Sequence, residues 1–390
     1  MKQKKKQEVR LGIVGLGSMG TGHVARIESG KIENVRLTAL CDINPANMER
    51  FDPAYTRFTD SAKLIRSGDV DAILIATPHY SHTTIGADSL TCGIHTLVEK
   101  PISVHKADAQ KLIDAHTDSN VVFSAMFNQR TDPHYAKVRA LIQNGMLGEI
   151  TRVNWAVTNW FRTQAYYDNG GWRATWEGEG GGVLLNQSPH NLDLLQWLCG
   201  MPSTVRAFCK LGQYHDIEVE DNVTAYLEYP NGATGVFITT TGEAPGTNRL
   251  EISGENGKIV IENGKVTWTR NTIGQSAFLK TSPAPFGKPE TWTIDIPCDG
   301  IGSQHNGIIQ NFINAILFGE TLIAPAAEGI HSVELGNAML YSSITDTTVK
   351  MPLNASAFAK HLKMLITTSK PRKKKKAAKP ASAEDMAKSF

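Results

Sequence analysis

The chain has 390 residues, 41% of them hydrophobic, enough for about two or three domains with sizeable cores. Its formal net charge is only +2, and much of the excess sits at the ends, in Lys2, Lys4, Lys5 and Lys6 and again in Lys370, Arg372, Lys373, Lys374, Lys375 and Lys376. The body between them offers no field for an acidic polymer, so no nucleic-acid partner is expected, and no apolar run approaches the ~18–20 residues of a membrane span.

Val9–Val14 reads as a strand, and Gly15-Leu16-Gly17-Ser18-Met19-Gly20 follows directly, ahead of a helical pattern in His23, Val24 and Ile27. A strand, a glycine turn and a helix in that order make a seat for a dinucleotide pyrophosphate. The first glycine permits the tight turn, the second admits the backbone close to the phosphates, and the third lets helix pack on strand. The helix N-terminus offers free N–H groups. A second strand, Val35–Leu40, ends at Cys41-Asp42, an acid about 20 residues past the glycines. A carboxylate there binds both ribose hydroxyls of NAD and repels the extra phosphate of NADP, so NAD is expected over NADP.

The next elements alternate: a helix near 61–67, a buried-type strand over 71–76, a helix near 83–91 and a strand over 95–98. A helix over 107–116 and a strand over 121–123 follow. Continuous apolar strands spaced by helices predict an α/β, doubly wound parallel sheet with its ligand crevice beyond the strand C-termini. From about Asn128 the pattern changes. A helix over 133–143 ends at Asn144-Gly145, a good cap pair, and a long strand covers 150–157. An aromatic and glycine-rich loop over 160–182 leads to a helix over 184–198. Strand-like runs follow at 205–211, 223–229, 235–241, 250–253 and 258–262, with Asn231-Gly232 and Asn263-Gly264 as hairpin turns, then helices near 307–317 and 328–343. This half is predicted to be α+β with a large, mostly antiparallel sheet.

Cys41, Cys92, Cys199, Cys209 and Cys298 are odd in number, scattered and never in a CxxC arrangement, which points to a reducing compartment. With no secretory h-region at the start, a cytoplasmic location is expected. The Lys/Ala/Pro-rich segment after Lys370 has no apolar period to dock it and is expected to be disordered. Its removal should leave activity and melting temperature near the parent values, and a large loss of either would show that it packs against the body.

Glu99-Lys100-Pro101 closes the strand over 95–98. A Lys there points into the crevice, where partial desolvation and a cationic nicotinamide lower its pKa towards the range useful for proton transfer; a surface Lys at a strand end is the plain alternative. Two further segments bear on the choice: Ala76-Thr77-Pro78-His79-Tyr80-Ser81-His82, and the run from Gly180-Gly181-Gly182 through Asn186 to Pro189-His190-Asn191-Leu192-Asp193. On a helix, Asn186 and His190 are spaced i and i+4, with Asp193 following on the same side. His190 is therefore either an acid/base group or a buried structural His bonded to Asp193, which could also orient it. No metal site is expected: His79 and His82 are placed on a loop, and HExxH is absent.

GLGSMG, ATPxxxH, EKP and a glycine run leading to PHxxD, in that order, resemble the Gfo/Idh/MocA family of oxidoreductases, which includes glucose–fructose oxidoreductase and inositol dehydrogenase. The resemblance spans roughly Val9 to Leu353 and leaves out both basic ends. It implies an N-terminal Rossmann NAD-binding domain over 9–127 and a substrate-binding and oligomerisation domain with an open-faced sheet over 128–355. Flanking these are a basic tail over 1–8 and another over 370–390. The implied activity is hydride transfer between a secondary hydroxyl of a sugar, glycoside or cyclitol and nicotinamide, in a homodimer or homotetramer.

By the same resemblance the cofactor would meet Gly15, Gly17, Ser18, Met19, Gly20, Asp42, Thr77, Pro78, His82, Glu99, Lys100 and Asn128. Lys100 would lie beside the reacting hydroxyl, with His190 as its acid/base partner. Family dehydrogenases usually carry Asp where this chain has Asn186. An amide cannot relay a proton but can hold a sugar hydroxyl, and Asn186→Asp is expected to raise activity if a relay is what the chain lacks. Substrate contacts are expected from Lys100, Asn128, Asn186, His190 and His305, and from Trp160, Arg162, Tyr166, Trp172 and Arg173 of the aromatic loop. Rings match the CH faces of sugars and Arg matches their rims; aromatic packing under a long loop, or at a subunit contact, is the alternative for that segment. The departure at 186 and the wide loop also leave open an NAD-retaining glycoside hydrolase or lyase that works through transient oxidation. A non-catalytic NAD-binding sensor is a third reading.

Overall fold

The computed structural model describes residues 8–168 and 171–369; both basic ends lie outside the described residues. The N-terminal layer holds β1 (Val9–Val14), α1 (Ser18–Glu28), β2 (Val35–Cys41), β3 (Thr56–Phe58), α2 (Ser61–Ile65), β4 (Ala72–Ile75), α3 (His79–Thr91), β5 (His95–Val98), α4 (Lys106–Asp114) and β6 (Phe123–Ala125). Its six strands are all parallel, in the order β3-β2-β1-β4-β5-β6. Strand order reverses between β1 and β4, so the loops after those strands part there and leave a crevice at their C-terminal ends. β4, with all four residues buried, is the continuous apolar strand of a sheet covered on both faces.

The second unit begins with α5 (Pro133–Gln143), β7 (Ile150–Val157), α6 (Gln164–Asp168) and α7 (Pro189–Cys199). It continues through β8 (Thr204–Leu211), β9 (Glu220–Glu228), β10 (Thr234–Thr240), β11 (Asn248–Gly254), β12 (Gly257–Glu262), β13 (Lys265–Asn271), α8 (Gln275–Thr281) and β14 (Thr291–Ile296). It closes with α9 (Gln304–Phe318), α10 (Gly329–Thr345), β15 (Val349–Lys350) and α11 (Ala355–Thr368). Nine strands form one sheet in the order β14-β13-β12-β11-β7-β10-β9-β8-β15. Only β7 and β10 pair in parallel. Along β9, Val223, Ala225 and Leu227 are buried while Thr224, Tyr226 and Glu228 face outward, so one side packs on helices and the other is open. Asn263 and Gly264, at φ 52° and 69°, make the two-residue β12–β13 turn that both-positive φ values require. No helix among the described residues is long and apolar enough to cross a membrane.

Several expected boundaries shift. α3 begins at His79, right after Pro78, so His79 and His82 lie on a helix rather than a loop. α7 begins at Pro189, not at residue 184, because Pro lacks the N–H that a helix interior needs and suits the first helical position. Asn186 therefore sits in turns ahead of the helix, and the i, i+4 relation to His190 does not exist. The aromatic loop holds the short helix α6, and β3, β13, β14, β15, α8 and α11 complete the fold. Core packing crosses the division at residue 127. Ile308, Ile309, Phe312 and Ile313 of α9 join the N-terminal core with Leu11, Ile13 and Val98, while Phe358 and Leu362 extend the second core beyond residue 355 into α11.

Candidate active site

The glycine turn is built for close approach. Gly15 has φ +90°, and a Cβ there would lie 2.8 Å from the Ala76 backbone; one on Gly20 would meet the Gly15 carbonyl oxygen at 1.8 Å. Nothing lies within 4 Å of a Cβ on Gly17, so space opens where that residue caps α1. Gly17 supplies no side-chain cap, which leaves the N–H groups of the first turn, with Ser18 and Met19, open to an anion. Asp42 closes the cradle. Its Oδ2 accepts from Leu16 N at 2.7 Å and its Oδ1 from Asn44 N at 2.9 Å, and each oxygen keeps acceptor capacity for a ribose hydroxyl. Arg50, which no motif marks, braces the same turn by donating to the Leu16 carbonyl and Thr21 Oγ1, each at 2.7 Å. At the far wall Thr77 Oγ1 and Asn128 Oδ1 are buried and have no hydrogen-bond partner among the described residues, while Asn128 Nδ2 donates to Gln304 at 2.6 Å. A cradle sterically closed around Gly15 and Gly20, uncapped N–H groups and two orphaned polar atoms fit a dinucleotide.

Other expected contacts prove internal. Both ring nitrogens of His82 lie 2.8 Å from backbone carbonyls, those of Pro101 and Thr77, so His82 ties the two loops together and has no nitrogen left for a cofactor. Glu99 pairs with His23 of α1, Oε1 to Nε2 at 2.8 Å, and its Oε2 accepts from Lys100 N at 3.1 Å. Burial alone would raise its pKa, but the His23 hydrogen bond and the charges of His23, His305 and Lys100 hold it down at about 2. The His305 ring packs 5.8 Å from that of His23, and burial pushes its pKa down to about 3. His305 thus lies by the Glu99–His23 pair.

Lys100 emerges partly exposed from the end of β5, and its Nζ donates to the Asn186 carbonyl at 2.8 Å. Burial lowers its pKa, Glu99 and Glu179 oppose that, and Arg173 and Arg162 add to it. His190, one residue into α7, is 4% exposed; its Nδ1 has no partner among the described residues, and burial and Lys100 hold its pKa well below the ordinary value. The imidazole is therefore neutral near pH 7. Asp193 does not orient it: both Asp193 oxygens bind Arg130, at 2.8 and 2.6 Å, in a buried pair between Phe127 and Trp197.

Around Lys100 the aromatic loop divides. Trp160 is 8% exposed and donates to Asn191 at 3.1 Å, and Tyr167 and Trp176 join the core, so these three pack rather than bind. Tyr166, Trp172, Arg162 and Arg173 stay half-buried. Both guanidinium groups flank the Tyr166 ring, at 5.3 and 4.9 Å from its centroid. Tyr166 Oη receives Arg173 at 2.9 Å and Gln187 at 3.2 Å, and donates to Asn186 Oδ1 at 3.3 Å. Trp172 meets His79 edge-on at 5.6 Å. Two buried carboxylates were not legible as site residues. Glu179 accepts from the Asn186 amide, and Glu220 accepts from Gly182 N at 2.8 Å and Leu184 N at 3.0 Å, burial raising its pKa to about 7. An Asp at 186 would thus meet Glu179 head-on, and one of the two would have to hold a proton. Asn186→Asp alone would therefore not supply the free base expected of it.

A dinucleotide cradle opening onto a lysine of lowered pKa, a neutral imidazole and a half-buried aromatic wall defines an NAD-binding oxidoreductase. Residues 9–127 match the family model described as "Oxidoreductase family, NAD-binding Rossmann fold", and residues 135–260 match "GFO/IDH/MocA C-terminal domain". Together these cover well over half of the chain, which belongs to the Gfo/Idh/MocA family of oxidoreductases. It is 26% identical to levoglucosan dehydrogenase of Pseudarthrobacter phenanthrenivorans, covering 89% of this chain and 99% of the relative. It is 27% identical to inositol 2-dehydrogenase of Rhizobium meliloti, covering 86% and 96%. Among solved structures, the WlbA dehydrogenase of Bordetella pertussis in complex with NADH and UDP-GlcNAcA superposes with a TM-score of 0.75 at 26% identity, over 89% of this chain and 100% of that one.

Proposed function

We propose that the protein is an NAD-dependent dehydrogenase that oxidises a secondary hydroxyl of a sugar, glycoside or cyclitol, the substrate class named for its levoglucosan and inositol relatives. The observation that carries this reading is Lys100. Among the described residues its Nζ bonds to the Asn186 carbonyl and to no carboxylate, so it faces the crevice with a lowered pKa. NAD, when bound, supplies the acceptor for the hydride that leaves the hydroxyl-bearing carbon. Lys100, in its neutral amine form, takes the hydroxyl proton, and the substrate leaves as a ketone. His190, neutral, bonds the substrate hydroxyl and orients it toward Lys100 rather than storing the proton itself. Tyr166 and Trp172 meet the CH face of the ring while Arg162 and Arg173 meet its hydroxyl rim.

A screen of free sugars, glycosides and inositols that follows NADH absorbance tests this reading. NADH formed in proportion to substrate supports it; glycoside cleavage without added NAD would point instead to the NAD-retaining glycosidase. Asp42 makes NAD the preferred cofactor. Asp42→Ser should narrow the difference in Kd between NAD and NADP measured by titration, and equal affinity of the parent protein for both would sink this assignment. We place a second copy on the open face of the nine-stranded sheet, where Phe208 and Tyr226 are 57% and 42% exposed. The mass in solution should then be two or four times that of the chain. Five free cysteines suit a reducing cytoplasm.

A further inference from the structure

The groups facing Lys100 carry unequal charge. The cations are Arg162 and Arg173 of the aromatic loop; the buried rings of His79, His82, His190 and His305, from α3, α7 and α9, have pKa values lowered by burial and add no charge near pH 7. Against these stand two carboxylates, and Glu99 is already held by His23 and the Lys100 N–H. Glu179 is the other, and it is 1% exposed. Its Oε2 accepts from Ala174 N at 2.5 Å, and its Oε1 takes the Asn186 amide and lies 3.8 Å from Arg173. Asn186 in turn gives its own carbonyl to Lys100 Nζ at 2.8 Å. One carboxylate thus fixes the residue that holds the lysine and stands opposite the lysine's charge. Glu220 braces the same turn from its other side through Gly182 N and Leu184 N.

We propose that Glu179 is the positioning carboxylate of this site: it locks the Asn186 turn that holds the Lys100 amine and supplies the negative charge that balances Lys100, Arg162 and Arg173. The proposal rests on the dehydrogenase reading for its role in turnover, but the contact itself does not. Glu179 need not touch substrate. It acts through Asn186 on the lysine's position, and through space on its charge. A carboxylate at 179 paired with an amide at 186 should be interchangeable with the reverse arrangement, because an amide at 179 still accepts from Ala174 N and a carboxylate at 186 still accepts from Tyr166.

The test compares the full-length parent, Glu179→Gln and the exchange Glu179→Gln/Asn186→Asp. Competitive acetylation with acetic anhydride across a pH series, read on the Lys100 peptide by mass spectrometry, reports where Lys100 loses its proton whether or not a substrate is known. Glu179→Gln should move that point down by about one unit, the effect of losing an opposite charge nearby, and the exchange should return it to near the parent value. With NAD and myo-inositol or levoglucosan as probes, kcat should fall about tenfold in Glu179→Gln and recover in the exchange, at unchanged affinity for NAD. An unmoved Lys100 in Glu179→Gln overturns the proposal, as does an exchange variant no nearer the parent than the single one. If Glu179→Gln does not fold, the exchange alone decides, since it keeps every hydrogen bond and the charge. Should the parent oxidise neither probe, the substrate reading fails by itself, and the labelling result still stands for or against Glu179.

Discussion

Lys100→Ala should lower turnover by about 10²–10⁴, the usual worth of a general acid/base. Affinity for NAD should survive, because the glycine turn and Asp42 sit at the ends of β1 and β2, away from the Lys100 side chain. The neutral amine is the active form in the oxidative direction, so the parent rate should rise with pH through a pKa that burial has lowered from the ordinary lysine value, and the variant should lose that limb. His190→Asn should fail differently. An amide of similar reach keeps one hydrogen bond but not the ring's geometry, so KM should rise along with the loss in kcat. Near-normal turnover of Lys100→Ala at saturating substrate would falsify the catalytic reading and leave NAD binding or sensing as the better account.

Asp193→Ala should cost stability rather than chemistry. Arg130 and Asp193 are each 1% exposed in their side chains, and removing the carboxylate leaves a guanidinium packed between Phe127 and Trp197 with only the half-exposed Glu328 to balance it. Breaking a buried pair from one side typically costs about 3–5 kcal/mol, which a urea unfolding curve would register as an earlier transition. Arg130→Met/Asp193→Leu should recover much of that loss, because no unpaired charge then stays buried. Below the transition the single variant should still turn over, since His190 makes no bond to Asp193. A variant as stable as the parent but inactive would return Asp193 to the catalytic group.

These two outcomes separate what local chemistry announces from what packing arranges. The glycine turn, Asp42 and Lys100 were legible in the chain because each answers to a local rule. A pyrophosphate needs a tight turn without side chains ahead of a helix, a ribose needs an acid at the next strand's end, and the end of a parallel strand opens into the crevice. The α/β order and the Asn263-Gly264 hairpin were legible for the same reason, since apolar period and turn residues act within a few positions.

The site around Lys100 depended on contacts that no spacing encodes. Spacing puts Asn186 on a helix with His190, but Pro189 starts the helix and Glu220, 36 and 38 residues from Leu184 and Gly182 in sequence, holds the preceding turns. Spacing places Asp193 for His190, yet Arg130 arrives from the turn just ahead of α5 and takes both oxygens. The aromatic loop leaves binding and packing equally open in sequence, and tertiary packing sends Trp160, Tyr167 and Trp176 inward while leaving Tyr166, Trp172 and two arginines half-buried. Sequence by itself determined the cofactor class, the alternation of strand and helix and the place of Lys100 at the end of a parallel strand, because these follow from backbone geometry within one βα unit. Which carboxylate lies beside the Asn186 turn, which ring is buried and neutral and which aromatic groups stay half-buried were decided only by tertiary structure, because burial and charge pairing are set by residues that the folded chain alone brings together.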